Sequence, residues 1–323
     1  TLISSYGGRI KEVRRFGRLL FVVTNLSPEL IKHITLRSSN IKRAYLIYAS
    51  TETPSYENVL VQELYDEIRT ASKIAVGIVT YESEFIKANE VNELRVKVAD
   101  KLLKDFKGTV DLKNPQKRIV LIYVRDRIFS ALELVGDHEK GFLKRRPSKK
   151  PVFSPFSLDP KLARVMVNLS GAIEGELILD PFCGVGGIPV EAVMMNIECI
   201  CIELMYKWAL GAEINLRWID KSRGLYEVIC GDSLTSLIRK AKYIVTDPPY
   251  GRITTKGRYT EVAIIMDKFL EYASTLDRIH RIVFMHPSSL DIDIEKYYFK
   301  DLFKAEIPVH SGLTRILRVV EKK

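Results

Sequence analysis

From residue 159 onward, apolar runs of strand length alternate with stretches of helical length, and no other feature constrains the fold as strongly. "ELILD", "IECICIE", "LYEVICGD", "KYIVTD" and "RIVFMHP" read as strands; "GIPVEAVMMN", "MYKWALGAEINLRWI", "SLTSLIRK" and "VAIIMDKFLEYAST" read as the helices between them. A near-continuous apolar strand must be covered on both faces, and a helix between successive strands makes the pairing parallel. The expected architecture is α/β, a doubly wound parallel sheet. Its first helix, in "DPKLARVMVNLSG", has Asp159 as N-cap, Pro160 at the first helical position and Gly171 beyond the end. The tail "DLFKAEIPVHSGLTRILRVVEKK" reads as two strands around a turn at Ser311-Gly312, a closing antiparallel hairpin.

The N-terminal half has a different rhythm. "RLLFVVTNL" reads as a strand, "SPELIKHITLR" as a helix opened by Ser27 and Pro28, and "RAYLIYAS" as a strand. The polar break "TETPSYEN" places a boundary near residue 52. Beyond it, "VLVQELYDEIRTA" and "VNELRVKVADKLLKDF" have helical periodicity around the strand "KIAVGIVTY", and two alternating runs flank "RDR" as a hairpin. Between Glu139 and Pro155 the composition shifts to six Lys/Arg, a Gly and three prolines, a linker that is either a solvated connector or a basic strap on phosphates. The expected division is 1–52, 53–138, a linker at 139–158, and 159–323.

Charge follows the same division. The formal net charge is +10, and residues 1–158 carry 28 Lys+Arg against 18 Asp+Glu, whereas residues 159–323 carry 22 of each. That asymmetry points to a polyanion-docking half joined to a neutral catalytic half. No apolar run is long enough to cross a bilayer and no charged-then-apolar leader opens the chain, so a cytosolic, cytoplasmic protein is expected. Cys183, Cys199, Cys201 and Cys230 show no CxxC spacing, and Cys199 and Cys201 alternate in an apolar run as buried strand thiols do. Neither zinc nor a disulfide framework is expected.

Ligands of an open α/β sheet bind outside the carboxyl ends of its strands. Four strand ends here carry polar or glycine-rich punctuation. The first is "LDPFCGVGG", with Asp180, Pro181, Cys183 and Gly184 before the next helix. The second is Glu203, 23 residues beyond Asp180, where a carboxylate can hold two ribose hydroxyls. The third is "CGDS", placing Asp232 where it can accept from an exocyclic amine, with Ser233 beside it; the fourth is "TDPPYG". A single acidic residue after a strand is more often a cap. Four in sheet order are not.

These motifs resemble those of class I methyltransferases that use S-adenosylmethionine and methylate exocyclic amino groups. Among them the archaeal-type tRNA guanosine N2-methyltransferases are the most similar, through "PVFSP", "PKLARVMVNL", "DPFCGVGG", "DPPYGR" and "GLTR". The N-terminal half resembles a THUMP domain preceded by a small ferredoxin-like domain, on the run "VDLKNPQKRIVLIYV". Departures are Val185 for a usual Thr, Ser154 for a usual His and Ile253 for a usual small polar residue. The resemblance implies a Rossmann-like methyltransferase domain with a tRNA partner. S-Adenosylmethionine is the implied methyl donor and S-adenosylhomocysteine its product. Asp180, Pro181, Cys183 and Gly184 then face the methionine part, Glu203 holds the ribose, and Asp232 and Ser233 lie near the adenine. No metal is needed, and with no sign of a protein partner a monomer is expected.

The "DPPY" stretch has a chemical reason. An aromatic amine is a poor nucleophile because its lone pair is delocalised into the ring. Accepting hydrogen bonds from its two N–H groups draws the nitrogen toward a tetrahedral shape and frees that pair. Asp247 offers a carboxylate acceptor, Pro248 a carbonyl held outward, Pro249 rigidity, and Tyr250 a face for a base taken out of its stack. Catalysis is then mostly positioning and charge placement. The pattern reports an amino group rather than a particular base. Another tRNA site, ribosomal RNA, adenine in DNA, and a tRNA-binding protein with a silent cofactor pocket remain as alternatives at this stage. A THUMP-bearing sulfur-transfer enzyme is excluded, since no "SGG" loop or catalytic cysteine pair occurs.

Overall fold

The computed structural model describes residues 2–52, 54–83, 85–220, 222, 224–235, 238, 240–249, 256–310 and 313–323; the side chains of 140, 256–260, 310 and 313 lie outside that description. The chain divides into two compact units, one of residues 7–36 and 41–138, the other of 1–6, 37–40 and 139–323.

After a short helix α1 (Leu2–Ser5), β1 (Ile10–Phe16) and β2 (Leu19–Thr24) form an antiparallel pair. Helix α2 (Pro28–Arg37) starts with Pro28, and the Ser27 hydroxyl accepts from the Leu30 N–H at 3.3 Å, the cap its sequence announces. Then come β3 (Ala44–Thr51), α3 (Gln62–Arg69), β4 (Lys73–Tyr81), α4 (Val91–Leu102), β5 (Thr109–Val110), β6 (Lys117–Val124) and β7 (Arg127–Val135). These strands make a five-stranded sheet in the order β3-β7-β6-β4-β5. Strands β6 and β7 are the hairpin expected around "RDR", with Arg125 at φ 49° in its turn. Alternation divides their side chains. Ile119 and Leu121 face Leu64 and Ile68 of α3 and Val98 and Leu102 of α4, whereas Val120, Ile122 and Phe129 face Phe16 and Phe21 of the β1–β2 pair.

The long run of the second unit, from residue 139, opens with α5 (Lys140–Lys144), inside the stretch whose composition reads as a linker. Among the described cations of that stretch, Arg145 and Lys150 are buried. Arg145 and Arg164 share the carboxylate of Glu191, at 2.7 and 3.1 Å from Arg145 and 2.9 Å from Arg164 Nε, and the Phe142 ring lies 5.0 and 5.5 Å from their two guanidiniums. Burial pushes the Lys150 ammonium down to about 8, while Lys144, Arg146 and Lys149 are exposed. Buried Arg37 donates to Asn168 at 2.9 Å and to the Ala172 carbonyl.

Helix α6 (Pro160–Ser170) is capped as its sequence predicts: Asp159 accepts from the Lys161 N–H at 2.8 Å, and Gly171 ends it at φ 84°. Next are β8 (Leu177–Asp180), α7 (Gly187–Val193), β9 (Glu198–Glu203), α8 (Tyr206–Ile219), β10 (Tyr226–Cys230), β11 (Tyr243–Thr246), α9 (Lys256–Ser274), β12 (Arg281–Pro287), β13 (Phe299–His310) and β14 (Leu313–Lys322). The seven-stranded sheet runs β10-β9-β8-β11-β12-β14-β13, the first five strands parallel and the last two antiparallel. This is the Rossmann-like sheet with its closing hairpin. The turn expected at Ser311-Gly312 lies outside the described residues, and where "SLTSLIRK" suggests a helix the described residues 233–235 form a turn.

Both faces of this sheet are covered, which is why its strands lack polar alternation. Ile178, Cys199, Cys201, Val245 and Val283 pack with Met166 of α6, Ile188 of α7 and Leu216 of α8. Leu179, Ile202, Ile244, Ile282 and Phe284 pack on the other side with Met266, Phe269 and Leu270 of α9. Among the described residues no helix is long and apolar enough to cross a membrane.

Candidate active site

Strands β10, β9, β8 and β11 are neighbours and parallel, so the four punctuated strand ends open side by side. A cavity of about 1390 Å³ lies there, lined by Asp180, Pro181, Cys183, Gly184, Glu203, Asp232, Ser233, Asp247, Pro248 and Pro249 among others. Every site residue expected from the sequence lines it except Tyr250, which lies outside the described residues together with Ile253.

The turn after β8 is built on backbone bonds. The Cys183 N–H donates to the Ile202 carbonyl at 3.1 Å and the Gly186 N–H to the Cys183 carbonyl at 2.8 Å. Gly184 adopts φ 53°, and a Cβ there would meet no atom within 4 Å, so its missing side chain leaves open space. Its N–H donates to Glu203 Oε2 at 3.0 Å, and Glu203 Oε1 accepts from the Met205 N–H at 2.9 Å. A carboxylate has about four acceptor sites, so these two bonds orient Glu203 and leave capacity for hydroxyl donors. Leu204 and Met205, 69% and 56% exposed, line the cavity beside Trp208 and make an apolar wall for a flat ring. Asp232 accepts from the Leu234 N–H at 2.9 Å, and Ser233 is buried next to it.

Asp180 is 1% exposed. One of its oxygens accepts from the Thr246 hydroxyl at 2.7 Å and from the Phe182 N–H at 3.2 Å, tying the ends of β8 and β11 together. Burial pushes its carboxyl up to about 7 against those two bonds, with nearby Asp247 and Glu203 adding to the rise.

The closing hairpin completes the cavity. Ile307, Pro308 and Val309 of β13 line it, and Arg315 of β14 places Nη1 3.2 Å from Asp247 Oδ2, with the two side chains 15% and 13% exposed. Arg315 stands in "GLTR" and carries no role in the sequence reading; only the pairing of β14 with β12 brings it to the end of β11. Trp208 was likewise not anticipated, being one of several apolar positions along α8. Ser154 lies buried in the cavity wall, where the resemblance expects His, and the buried Val185 gives its carbonyl to Asn215 at 2.9 Å.

Comparisons with known proteins show what this chain is similar to. A family model described as RMKL-like, methyltransferase domain, matches residues 147–243. Three archaeal proteins named tRNA (guanine(10)-N2)-dimethyltransferase are similar to this chain. The Methanothermobacter thermautotrophicus protein is 36% identical over 66% of the chain and 63% of its own length, just under two thirds. The Pyrococcus abyssi protein is 30% identical over 73% and 71%, and the Methanocaldococcus jannaschii protein 28% over 99% and 93%. Among solved structures, TrmN from Thermus thermophilus is 22% identical with a TM-score of 0.51, covering 94% of this chain and 89% of that one, a likeness of fold.

Proposed function

The chain belongs to the tRNA (guanine(10)-N2)-dimethyltransferase family, and from that premise we propose that it transfers a methyl group from S-adenosylmethionine to the exocyclic N2 of a guanosine in tRNA, at position 10. The observation that carries this reading is the meeting of Glu203, Asp232, the Gly184 turn and Asp247-Pro248-Pro249 in one cavity. The donor set fits the cofactor: an oriented carboxylate for a diol, an apolar wall for a purine, and a space beside Gly184 that any other side chain would fill.

In this reading Glu203 holds the ribose, Asp232 and Ser233 sit by the adenine between Leu204, Met205 and Trp208, and Asp180, Pro181, Cys183 and Gly184 face the methionine end. The bound cofactor supplies an electrophilic methyl group on a positively charged sulfur. Asp247 and the Pro248 carbonyl accept from the two N–H groups of the guanine amine and free its lone pair. Pro249 keeps the loop stiff, and Tyr250 offers its ring to the extruded base. Positive charge develops on nitrogen as it is alkylated, and the half-enclosed Asp247 carboxylate stabilises it. The surplus proton then passes to Asp247 or to water. Arg315 donates to Asp247 Oδ2 at 3.2 Å and fixes the orientation of its carboxylate.

The basic N-terminal half, with its THUMP-like part, docks the tRNA through phosphates. A methyltransferase pocket recognises one extruded base, and a docking unit supplies its position along the folded RNA. The test is transfer of labelled methyl onto a panel of tRNA transcripts with nuclease mapping. Label in one N2-methylated guanosine at position 10 supports the reading, and a second methyl on the same nitrogen extends it. Label on another nucleotide, or none despite cofactor binding, overturns it.

A further inference from the structure

Phe156 is the most exposed large apolar side chain of the described residues, at 80%, yet it lines the same cavity as Asp247. Its presentation is built. The Ser157 N–H donates to the Ser154 carbonyl at 3.1 Å, closing a four-residue turn in which Pro155 takes the second position and Phe156 the third. The Ser154 hydroxyl, on a buried residue, also accepts from the Phe156 N–H at 3.3 Å. Leu158 and Pro160, just beyond, are buried, so the turn rests on fixed ground. Single exposed apolar side chains are common, but a ring held on a fixed turn in the wall of a cavity is placed to be covered by what enters it.

We infer that Phe156 is a stacking platform for an RNA base, the one next to the methylated guanosine, at the rim of the cavity. This rests on the proposed tRNA substrate. Depth separates the two bases. The acceptor for the target amine, Asp247, is 13% exposed inside the cavity, whereas Phe156 stands at its mouth. Extruding one nucleotide unstacks its neighbours, and a neighbour that loses a purine or pyrimidine face gains an aromatic one. Every base has a π-face, so the contact helps hold the strand open without choosing its sequence.

The experiment measures equilibrium binding of full-length protein to a substrate tRNA without cofactor, alongside methyl transfer, for Phe156→Ala, Phe156→Leu and Phe156→Trp. Because the side chain is exposed, the variants should melt with the wild type. Stacking predicts that Ala and Leu weaken tRNA binding about five- to a hundredfold while Trp stays within a few-fold. A second arm removes the base from each neighbour of the target in turn. One abasic tRNA should bind the wild-type protein more weakly, yet bind Phe156→Ala no more weakly than intact tRNA does. Full binding by Phe156→Leu, no coupling at either neighbour, or a loss confined to S-adenosylmethionine affinity would each overturn the inference. Binding is read without turnover, so a wild-type protein that binds tRNA but methylates none of it refutes the proposed reaction and leaves the stacking result standing.

Discussion

Asp180→Asn should make the methyltransferase unit less sensitive to pH, because the native carboxyl is a cost of folding near neutrality. An acid whose pKa rises from about 3.8 unfolded to about 7 folded binds more protons in the folded state between those values. Unfolding therefore becomes easier as pH rises through that window. The contribution is fully retained below pH 4, is lost progressively up to pH 7 and stays lost above it. Three pKa units at about 1.4 kcal/mol each set an upper scale of ~4 kcal/mol, of which roughly 2.5 kcal/mol falls between pH 5 and pH 8. Asn keeps an oxygen that can accept from the Thr246 hydroxyl and the Phe182 N–H, and it does not titrate. The stability of Asp180→Asn relative to wild type should thus rise by roughly 2.5 kcal/mol from pH 5 to pH 8.

The chain provides its own probe. Both tryptophans, Trp208 and Trp218, lie on α8 of this unit, so fluorescence during urea titration reports its unfolding. Midpoints at fixed m-value give the difference at each pH. Parallel pH curves for the two proteins would show that Asp180 is ionised when folded and that burial does not govern it. A gap that widens toward acid would reverse the sign and refute the reasoning outright.

Four further outcomes are expected. Asp247→Ala should abolish methyl transfer and leave cofactor affinity within a few-fold, and Arg315→Ala should lower kcat about ten- to a hundredfold with Arg315→Lys recovering most of it; full turnover in either alanine variant removes that residue from the reaction. Glu203→Ala should weaken S-adenosylmethionine binding by about 1.5–3 kcal/mol for each charged hydrogen bond lost, and an unchanged Kd in calorimetry would contradict its place at the ribose. Binding to tRNA should fall with salt at a log–log slope of roughly −0.9 per phosphate contacted on duplex regions, and Lys144→Ala with Arg146→Ala should make it shallower if the segment is a strap, whereas an identical slope marks a connector.

Those last substitutions leave Arg145 alone, and the reason shows where composition misleads. "EKGFLKRRPSKKPVFSP" reads as a linker, connector or strap, because charge and proline dominate it. Arg145 is nonetheless buried against Glu191, and removing it leaves Glu191 Oε1 without its arginine donor in a buried cluster where, among the described residues, only Arg164 still pairs with the carboxylate. A piece of the chain beginning at residue 151 would do the same, so a test of the isolated catalytic half should begin no later than Glu139. No local signal separates Arg145 from exposed Arg146; the distinction is made by Glu191, 46 residues away.

The parallel sheet and most of the cavity were legible for the opposite reason. Asp180, Glu203, Asp232 and Asp247 each stand within two residues of the end of an apolar run, and parallel strands deliver every carboxyl end to one edge whatever the details of packing. A strand-end residue is thus located by local pattern plus topology. Arg315 and Phe156 are not strand-end residues of the parallel sheet. Arg315 enters from the antiparallel hairpin through its register opposite Pro287, and Phe156 from a turn that precedes the sheet altogether. The four strand-end carboxylates come from the repeating architecture. Arg315 and Phe156 line the same cavity from the two stretches appended to it. In this site, then, sequence order alone foretells the strand-end residues of the cavity, Asp247 among them, and Arg315 has to be read from tertiary pairing.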